Sequence, residues 1–279
     1  MIIIADSGST NTTWAILTSK YDISTFHSPG INPFFQDKSQ IVEILKEHCK
    51  EIGGSITKIY FYGAGCANAE KSMIVEDAIK EVWNPEKVEV NSDLLAAARS
   101  LCGCQEGIVG ILGTGSNSCY YNGSEIEAHV SPLGFILGDE GSGAVLGKTL
   151  IADVLKKQLP DHICKQFNET YHLSPAEILD KVYKQPFPNR FLADFTKFLY
   201  NHQEEESIKT LLKESFEKFF KRNIDQYHVN KTLPVHFTGS VAWYFQDILK
   251  ESAMISGYVI GKIVKEPING LIEYHKNEN

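Results

Sequence analysis

Apolar and polar positions at the start of the chain follow a pattern that predicts a β-hairpin. Residues 1–5 form an apolar run typical of a short buried strand, and residues 12–17 predict a second strand after the polar turn at residues 6–11. Beyond residue 33 the pattern alternates between helix and strand: helix 39–52, strand 58–62, helix 69–82, strand 88–90 and helix 92–101. This order indicates an α/β domain with a largely parallel sheet behind its opening hairpin.

The pattern restarts near Cys102-Gly103-Cys104, which predicts a boundary between a domain at residues 1–103 and another at 104–265. The second domain is predicted to begin with strands at 108–112, 118–121 and 126–130. Helices at 144–155, 175–183, 190–200 and 204–224 then indicate a helical insertion over about 150–230. Strand 235–237, helix 242–252, strand 258–264 and a terminal helix from Pro267 complete the pattern.

Composition narrows the class of protein. The 279 residues carry a formal net charge of −8 and 43% hydrophobic content, which is enough for a full core. The chain has no run of Lys or Arg. Because basic side chains that contact phosphates supply most nucleic-acid affinity, DNA, RNA and anionic membranes are disfavoured as partners.

Cysteine usage and the apolar segments favour a cytoplasmic protein. The six cysteines include no C-x-x-C pair, which is typical of free thiols in a reducing compartment. The first residues lack the basic and long apolar regions of a signal peptide. The longest uncharged stretch, residues 107–124, is interrupted by Gly, Asn, Ser and Thr, which argues against a membrane span.

Glycine-containing turns follow several predicted strands, where α/β proteins bind ligands. In Asp6-Ser7-Gly8-Ser9-Thr10, backbone N–H groups and hydroxyls suit a phosphate, and the Asp6 carboxylate suits Mg²⁺ held through water. The same residues also favour an ordinary hairpin turn. In Gly113-Thr114-Gly115-Ser116-Asn117, two glycines remove the Cβ atoms that would keep a phosphate or sugar from the main chain, although a hairpin without a ligand is the alternative.

Two further turns precede helices. Gly138–Gly143 sets Asp139 and Glu140 among glycines after an apolar segment interpreted as a strand. These acids could accept hydrogen bonds from sugar hydroxyls, or they could serve the N-terminus of the next helix with Ser142 as its cap. Gly239-Ser240-Val241-Ala242 opens a helix whose first amides could receive a phosphate or approach an adenosine, and helix capping explains it nearly as well.

Asp93 follows strand 88–90 and begins a helix of small residues. A carboxylate in this place suits a general base that accepts an alcohol proton during phosphoryl transfer, and the alternative is a partner of the helix dipole. Two apparent nucleotide motifs are rejected. Gly143–Thr149 has one residue too few for a P-loop and lies in a predicted helix, and no G-x-G-x-x-G fingerprint is complete.

In this order the turns resemble those of the sugar kinase/heat-shock ATPase/actin superfamily. Its two phosphate motifs are similar to Asp6-x-Gly8-Ser9-Thr10 and Gly113-Thr114-Gly115-Ser116, its connecting motif contains Asp93, and its adenosine motif resembles Gly239-Ser240-Val241-Ala242. More narrowly, Gly138–Gly143 together with Gly113–Asn117 and Asn32-Pro33 is similar to the N-acetylglucosamine kinases and their BadF/BadG-type ATPase relatives. The chain departs from these relatives at Ser7, where a second glycine is common, and at Gly239-Ser240, where paired glycines are common.

The resemblance implies a fold and an activity. The fold is a two-domain, actin-like ATPase (ribonuclease H-like) α/β fold with a nucleotide cleft between the domains, and a C-terminal helix at 266–279 completes the first domain. The activity is transfer of the γ-phosphate of ATP to the 6-hydroxyl of N-acetylglucosamine or a related hexosamine, with ATP and Mg²⁺ as cofactors. The partner is a small sugar, and a homodimer would be ordinary for this group.

The resemblance also implies a role for individual residues. Asp6 would hold Mg²⁺ through water, and Asp93 would accept the proton of the sugar hydroxyl. The nucleotide and its phosphates would contact Gly8, Ser9, Thr10, Thr114, Gly115, Gly239 and Ser240. The amino sugar would contact Asn32, Asn117, Asp139 and Ser142.

Two other functions stay open on the sequence. A BadF-type ATPase activates a partner enzyme through an iron–sulfur cluster that bridges two subunits, and Cys102 and Cys104 form the only close cysteine pair. Their C-x-C spacing does not resemble the cluster motif of that subfamily. A sugar or nucleotide sensor without turnover would share nearly all the residues named above, although the presence of Asp6 and Asp93 favours turnover.

Overall fold

The computed structural model describes residues 1–8, 10–19, 22–50 and 52–276. Ser9, predicted to contact phosphate, lies outside the described residues. The chain forms two compact units. The first unit comprises Met1–Gln105 and the segment from Pro267, and the second unit comprises Glu106–Glu266.

The described residues form strands and helices at the following positions. The strands are β1 (Ile2–Ser7), β2 (Asn11–Leu17), β3 (Ile23–Pro29), β4 (Lys58–Gly63), β5 (Lys87–Ser92), β6 (Gly107–Leu112), β7 (Ser116–Tyr121), β8 (Ile126–Val130), β9 (Val235–Thr238) and β10 (Ile260–Val264). The helices are α1 (Lys38–His48), α2 (Ala69–Trp83), α3 (Asp93–Cys102), α4 (Gly134–Leu137), α5 (Gly143–Leu155), α6 (Asp161–Tyr171), α7 (Pro175–Tyr183), α8 (Pro188–Ala193), α9 (Thr196–Asn201), α10 (Glu206–Arg222), α11 (Ser240–Tyr244), α12 (Gln246–Ile255) and α13 (Ile268–Lys276). A 3₁₀ turn at Ile224–Tyr227 follows α10.

Each unit contains a mixed five-stranded sheet, and the two sheets have the same topology. The strand order is β3-β2-β1-β4-β5 in the first unit and β10-β9-β6-β7-β8 in the second. In both, the first strand lies at the centre, an antiparallel meander extends to one side, and two parallel strands extend to the other. The predicted α/β class is confirmed, and the sheet of the first unit is mixed because β1 pairs antiparallel with β2 and parallel with β4.

The apolar run of β1 arises because the strand is buried on both faces. Ile3 and Ala5 pack with the side chains of α1 and α2, whereas Ile4 packs on the opposite face with α3 and α13. Successive side chains of a strand point to opposite faces, so a strand covered on both sides is apolar throughout. In the second unit the helices from α5 to α12 share one large core with β6 and β9.

Five elements differ from the sequence prediction. Strand β3 was not predicted, because it is an edge strand with mostly polar, exposed side chains. Helix α6 was also not predicted, and the helices predicted at 190–200 and 242–252 are each two shorter helices. The segment before Asp139 is the short helix α4 and not a strand, because Leu133 and Gly134 have positive φ angles that turn the chain there.

Register explains why the predicted site residues of each unit share an edge. In the first unit Ser7, Gly63 and Ser92 form one row across β1, β4 and β5, so the loops that follow these parallel strands leave the same edge. In the second unit Ile111, Thr238 and Val264 form the corresponding row. Among the described residues, no helix is both long enough and apolar enough to cross a membrane.

Candidate active site

The turn between β1 and β2 is tied to the loop that carries Asn32. Ser7 is buried, and its Oγ accepts a hydrogen bond from the Ile31 N–H at 2.9 Å and lies 2.6 Å from Thr12 Oγ1. Gly8 is exposed at the turn, and its N–H donates to the Asn11 carbonyl at 3.0 Å. The serine that departs from the family pattern therefore has a structural role, which is to hold this turn against the Asn32 loop.

Asp6 lies one residue before the end of β1 and is partly buried. By the alternation of the strand it shares a face with Ile4, on the side of the sheet that carries α3. Thr10 lies at the other side of the turn, exposed, and its carbonyl accepts from the Gly30 N–H at 2.9 Å. The first unit thus brings Asp6, Gly8 and Thr10 to one end of the hairpin.

Asn32 is buried and its carboxamide is fixed by the backbone. Its Oδ1 accepts from the Phe34 N–H at 3.0 Å, and its own N–H donates to Gln36 Oε1 at 2.7 Å. A Cβ on Gly65 would lie 2.3 Å from Asn32 Oδ1, and Gly65 has a φ of +86°. Gly65 is therefore required for the loop after β4 to approach Asn32.

Asp93 is the first residue of α3 and is partly buried. Burial raises its pKa above the ordinary value, while hydrogen bonds from its own N–H and that of Leu94 act in the opposite direction. The buried Cys66 thiol has a pKa raised to about 12, by burial first and then by the charge of Asp93. Cys66 is therefore a neutral thiol near a carboxylate whose pKa is raised by burial.

The distance between Asp6 and Asp93 follows from the sheet. Strands β1 and β5 flank β4, so the backbones that carry the two carboxylates lie about 10 Å apart across the first sheet.

In the second unit the turn between β6 and β7 is braced by the start of α5. The Gly143 N–H donates to the Gly113 carbonyl at 2.8 Å, and the Ala144 N–H donates to the Thr114 carbonyl at 3.0 Å. Thr114 is exposed, and a Cβ placed on Gly113 would meet no atom within 4 Å. Open space therefore borders the backbone of this turn.

Asp139 contacts the same turn, so two motifs that are separate in the sequence meet in space. Asp139 Oδ1 accepts from the Ser116 N–H at 3.3 Å, and Oδ2 lies 3.3 Å from the position of a Cβ on Gly115. Asp139 has a φ of +55°, in the left-handed region. Burial raises its pKa to about 6, the charge of Glu140 adds to this effect, and the Ser116 hydrogen bond and the charge of Lys148 oppose it.

Asn117 and Ser142 have different surroundings from Asp139. Asn117 is half-buried, and its Oδ1 accepts from the Ser118 N–H at 2.9 Å and lies 2.9 Å from His129 Nε2. Ser142 is fully buried, and its Oγ accepts from the Val145 N–H at 3.2 Å as the cap of α5. The capping alternative therefore describes the Ser142 side chain in this structure.

Gly239 lies where β9 passes close to β6. It has a φ of +111°, and a Cβ there would lie 2.3 Å from the Leu112 carbonyl oxygen. Its N–H donates to the Val264 carbonyl at 3.2 Å, and the exposed Ser240 begins α11. Glycine at 239 is thus required by the approach of two backbones, next to the turn that begins at Gly113.

Comparison with known proteins identifies the family. A scan against profiles of known protein families found no match. The crystal structure of a candidate N-acetylglucosamine kinase from Porphyromonas gingivalis is 44% identical to the chain, with a TM-score of 0.94 and 99% of each chain covered. The chain belongs to the N-acetylglucosamine kinase family of the actin-like ATPase superfamily.

Other relatives of this N-acetylglucosamine kinase family member agree with the fold. An N-acetylmuramic acid/N-acetylglucosamine kinase from Clostridium acetobutylicum is 32% identical over 164 residues, which is 56% of the chain and 53% of that relative. The chain thus matches about half the length of this curated relative. A ROK family glucokinase from Streptomyces griseus, solved with glucose and AMPPNP, is 14% identical, with a TM-score of 0.60 and 98% and 97% of the two chains covered. The predicted actin-like ATPase fold is therefore confirmed.

Sequence reasoning missed Gly65 and Cys66, which lie near the candidate site residues Asn32 and Asp93 of this family member. Neither residue belongs to a motif. A glycine shortly after a strand can mark a turn, which is the signal that could have drawn attention to Gly65.

The cysteines give no support to an iron–sulfur cluster. Of the only close pair in the sequence, Cys102 is buried whereas Cys104 is exposed. Within the described residues, no group of three or more His, Cys, Asp or Glu side chains is arranged to hold a metal ion.

Proposed function

We propose that this protein is an ATP-dependent hexosamine kinase that phosphorylates the 6-hydroxyl of N-acetylglucosamine. The proposal rests chiefly on Asp93, a partly buried carboxylate of raised pKa on the edge of the first sheet that also carries Asp6 and the Gly8 turn. Membership of a sugar kinase family is consistent with this arrangement.

The proposed role of Asp93 is that of general base. As the sugar hydroxyl oxygen attacks the γ-phosphorus, the bond from that phosphorus to the β–γ bridging oxygen breaks and ADP leaves. The proton of the hydroxyl passes to the Asp93 carboxylate. Burial raises the pKa of this carboxylate above its ordinary value, which makes it a stronger base toward the hydroxyl proton.

The residues present fit Mg-ATP. A cation that prefers oxygen ligands is commonly held by one or two carboxylates together with substrate phosphates, and the partly buried Asp6 supplies such a carboxylate. The open space beside Gly113 would be filled by any Cβ, which suits close approach of a phosphate to the backbone. Mg²⁺ would neutralise charge on the phosphates, and we assign Gly8, Ser9, Thr10, Thr114 and Gly115 to them, with Gly239 and Ser240 on the adenosine side.

The protein side chains assigned to the sugar are neutral or singly charged. They would bind the hydroxyl and amide groups of the sugar. Asp139 is the strongest candidate, because its carboxylate can accept hydrogen bonds from hydroxyls once it is ionised above a pKa of about 6. Asn32 and Asn117 would each contribute a carboxamide. Ser142 would act with them only by supporting the loop, since its Oγ caps α5.

A coupled assay of ADP release tests the proposal. Mg-ATP is offered with N-acetylglucosamine, N-acetylmuramic acid, N-acetylmannosamine, glucosamine or glucose, and we expect N-acetylglucosamine to give the highest kcat/KM. 6-Deoxy-N-acetylglucosamine should not be phosphorylated, which tests the position of transfer. Absence of sugar-dependent ADP release with every sugar would refute the kinase.

Two variants distinguish a role of Asp93 as general base from a role in the stability of the fold. Asp93→Asn should lower kcat by about 100-fold or more, because it removes the proton acceptor and little volume. Asp161→Asn is the matched control, since Asp161 is also the first residue of a helix but is exposed on α6, and it should retain full activity. A fully active Asp93→Asn enzyme would remove Asp93 from the role of base.

A further inference from the structure

Glu140 is adjacent to the candidate sugar ligand Asp139, but its carboxylate points to helix α10. Glu140 Oε1 lies 2.6 Å from Arg222 Nε, and Glu140 Oε2 accepts from Asn223 Nδ2 at 3.3 Å. The Glu140 side chain is only 12% exposed. Both carboxylate oxygens therefore have protein partners, which makes Glu140 a poor ligand for a sugar.

Helix α10 makes further contacts with the same loop. Ser215 is buried, and its Oγ accepts from the Gly141 N–H at 3.2 Å. Asn223, at the end of α10, is also buried. We call Ser215, Arg222 and Asn223 the α10 clamp. It holds the residues that directly follow Asp139.

The loop is held on its other side as well. The Asp139 N–H donates to the Pro132 carbonyl at 2.9 Å, and a Cβ on Gly138 would lie 2.1 Å from that carbonyl oxygen. Asp139 itself has a left-handed backbone, which is uncommon for a non-glycine residue and is adopted most readily by Asn and Asp. Contacts before and after Asp139 thus fix its backbone in this conformation.

We propose that Glu140 and the α10 clamp are positioning elements that hold the Asp139 carboxylate in the orientation that binds the sugar. This inference rests on the proposed sugar kinase function. Glu140 touches no substrate in this scheme, and it acts through Asp139.

The charges around Asp139 predict a change in the pH dependence of sugar binding that a purely structural role of Glu140 and Arg222 would not produce. Glu140 is a negative charge next to Asp139, Arg222 forms an ion pair with Glu140, and the positive charge of Lys148 on α5 lowers the Asp139 pKa. Removing the Arg222 charge leaves Glu140 uncompensated, so the Asp139 pKa rises. Removing the Glu140 charge has the opposite effect.

The experiment measures sugar affinity against pH by titration calorimetry without ATP, using the sugar that the wild-type enzyme phosphorylates. On the plateau near about pH 8, Glu140→Gln and Arg222→Gln should each weaken sugar binding about 10-fold, because both release the loop. Below the plateau the midpoint of the pH profile should move up by about 0.5 pH unit in Arg222→Gln and down by a similar amount in Glu140→Gln.

Two control variants separate the charge of Arg222 from its contacts. Lys221→Gln removes a positive charge from the same last turn of α10 at an exposed position and should leave both affinity and midpoint unchanged. Arg222→Lys keeps the charge, so its midpoint should stay at the wild-type pH while its plateau affinity is partly lost. In the kinase assay, the KM for sugar should rise in Glu140→Gln while kcat and the KM for ATP stay within about twofold.

The outcomes separate the inference from the function on which it rests. A wild-type protein that neither binds nor phosphorylates any sugar contradicts the proposed function. A wild-type enzyme that does both, with Arg222→Gln and Glu140→Gln folded and unchanged in plateau and midpoint, overturns the inference alone. Midpoints that move in the same direction in the two variants overturn it too.

Discussion

Replacing Asp139 by Asn should stabilise the protein at neutral pH while it weakens sugar binding. The Asp139 carboxyl has a pKa of about 6 in the folded protein against an ordinary value of 3.8, because burial disfavours its charged form. That difference corresponds to about 3 kcal/mol of unfavourable free energy when the group is ionised. Since the side chain keeps some exposure, we expect Asp139→Asn to gain about 1–3 kcal/mol at pH 7.

The amide should fit the same place without new strain. Asn adopts the left-handed backbone conformation of residue 139 as readily as Asp does. Its side-chain oxygen can still accept the hydrogen bond from the Ser116 N–H. The variant therefore removes a charge and leaves the local contacts in place.

The stability gained from Asp139→Asn should depend on pH in a defined direction. Because the pKa is higher in the folded protein than in the unfolded chain, the folded wild type binds more protons between pH 3.8 and about 6, and its stability falls as pH rises through that window. The stability gain of Asp139→Asn should thus be near zero at about pH 4, grow through the window and stay constant above it.

Thermal unfolding followed by circular dichroism over this pH range measures the effect, with about 2–4 °C expected for each kcal/mol. Sugar affinity measured on the same samples should fall, since the amide has one acceptor oxygen where the carboxylate has two. A stability difference that is the same at low and neutral pH, or an Asn variant that is less stable at pH 7, would refute the assigned environment of Asp139.

Two further predictions concern packing within each unit. Gly147→Ala should lower the free energy of unfolding, measured by urea titration, by about 1–3 kcal/mol, because its Cβ would lie 1.9 Å from the Leu192 carbonyl oxygen. The control is Gly113→Ala, whose Cβ meets nothing within 4 Å. It should change stability far less in the same titration. Tyr62→Phe should cost about 1–3 kcal/mol in thermal or urea unfolding, because the buried His275 Nε2 loses a hydroxyl partner at 2.9 Å, and an unchanged stability would show that this hydrogen bond contributes little.

The sequence alone was sufficient to predict the α/β class and the chain positions of the main turns. Those predictions are correct where neighbouring residues of one strand or helix share the same surroundings, so that burial leaves a regular pattern in the sequence. The buried strand β1 is apolar throughout, and the small residues of α3 follow Asp93 directly. Glycines after strands, such as Gly8 and Gly113, likewise mark turns by a local conformational property.

Edge strand β3 was missed for the same physical reason. Periodicity reports burial, and β3 exposes most of its side chains at the edge of the first sheet. The apolar segment before Asp139 misled in the opposite direction, since Ile136 and Leu137 are exposed and belong to the short helix α4. An apolar run of three residues does not distinguish strand from helix.

The sequence thus determined which residues are candidates for the site, and the tertiary structure decided what each of them contacts. The sequence places Asp139 and Glu140 side by side, and only the approach of α10, through Asn223 at 83 positions further along the chain, separates their roles. Gly65 likewise matters because of Asn32, which belongs to another loop. Contacts between residues so far apart in sequence leave no periodic pattern, because they depend on how whole elements pack against one another.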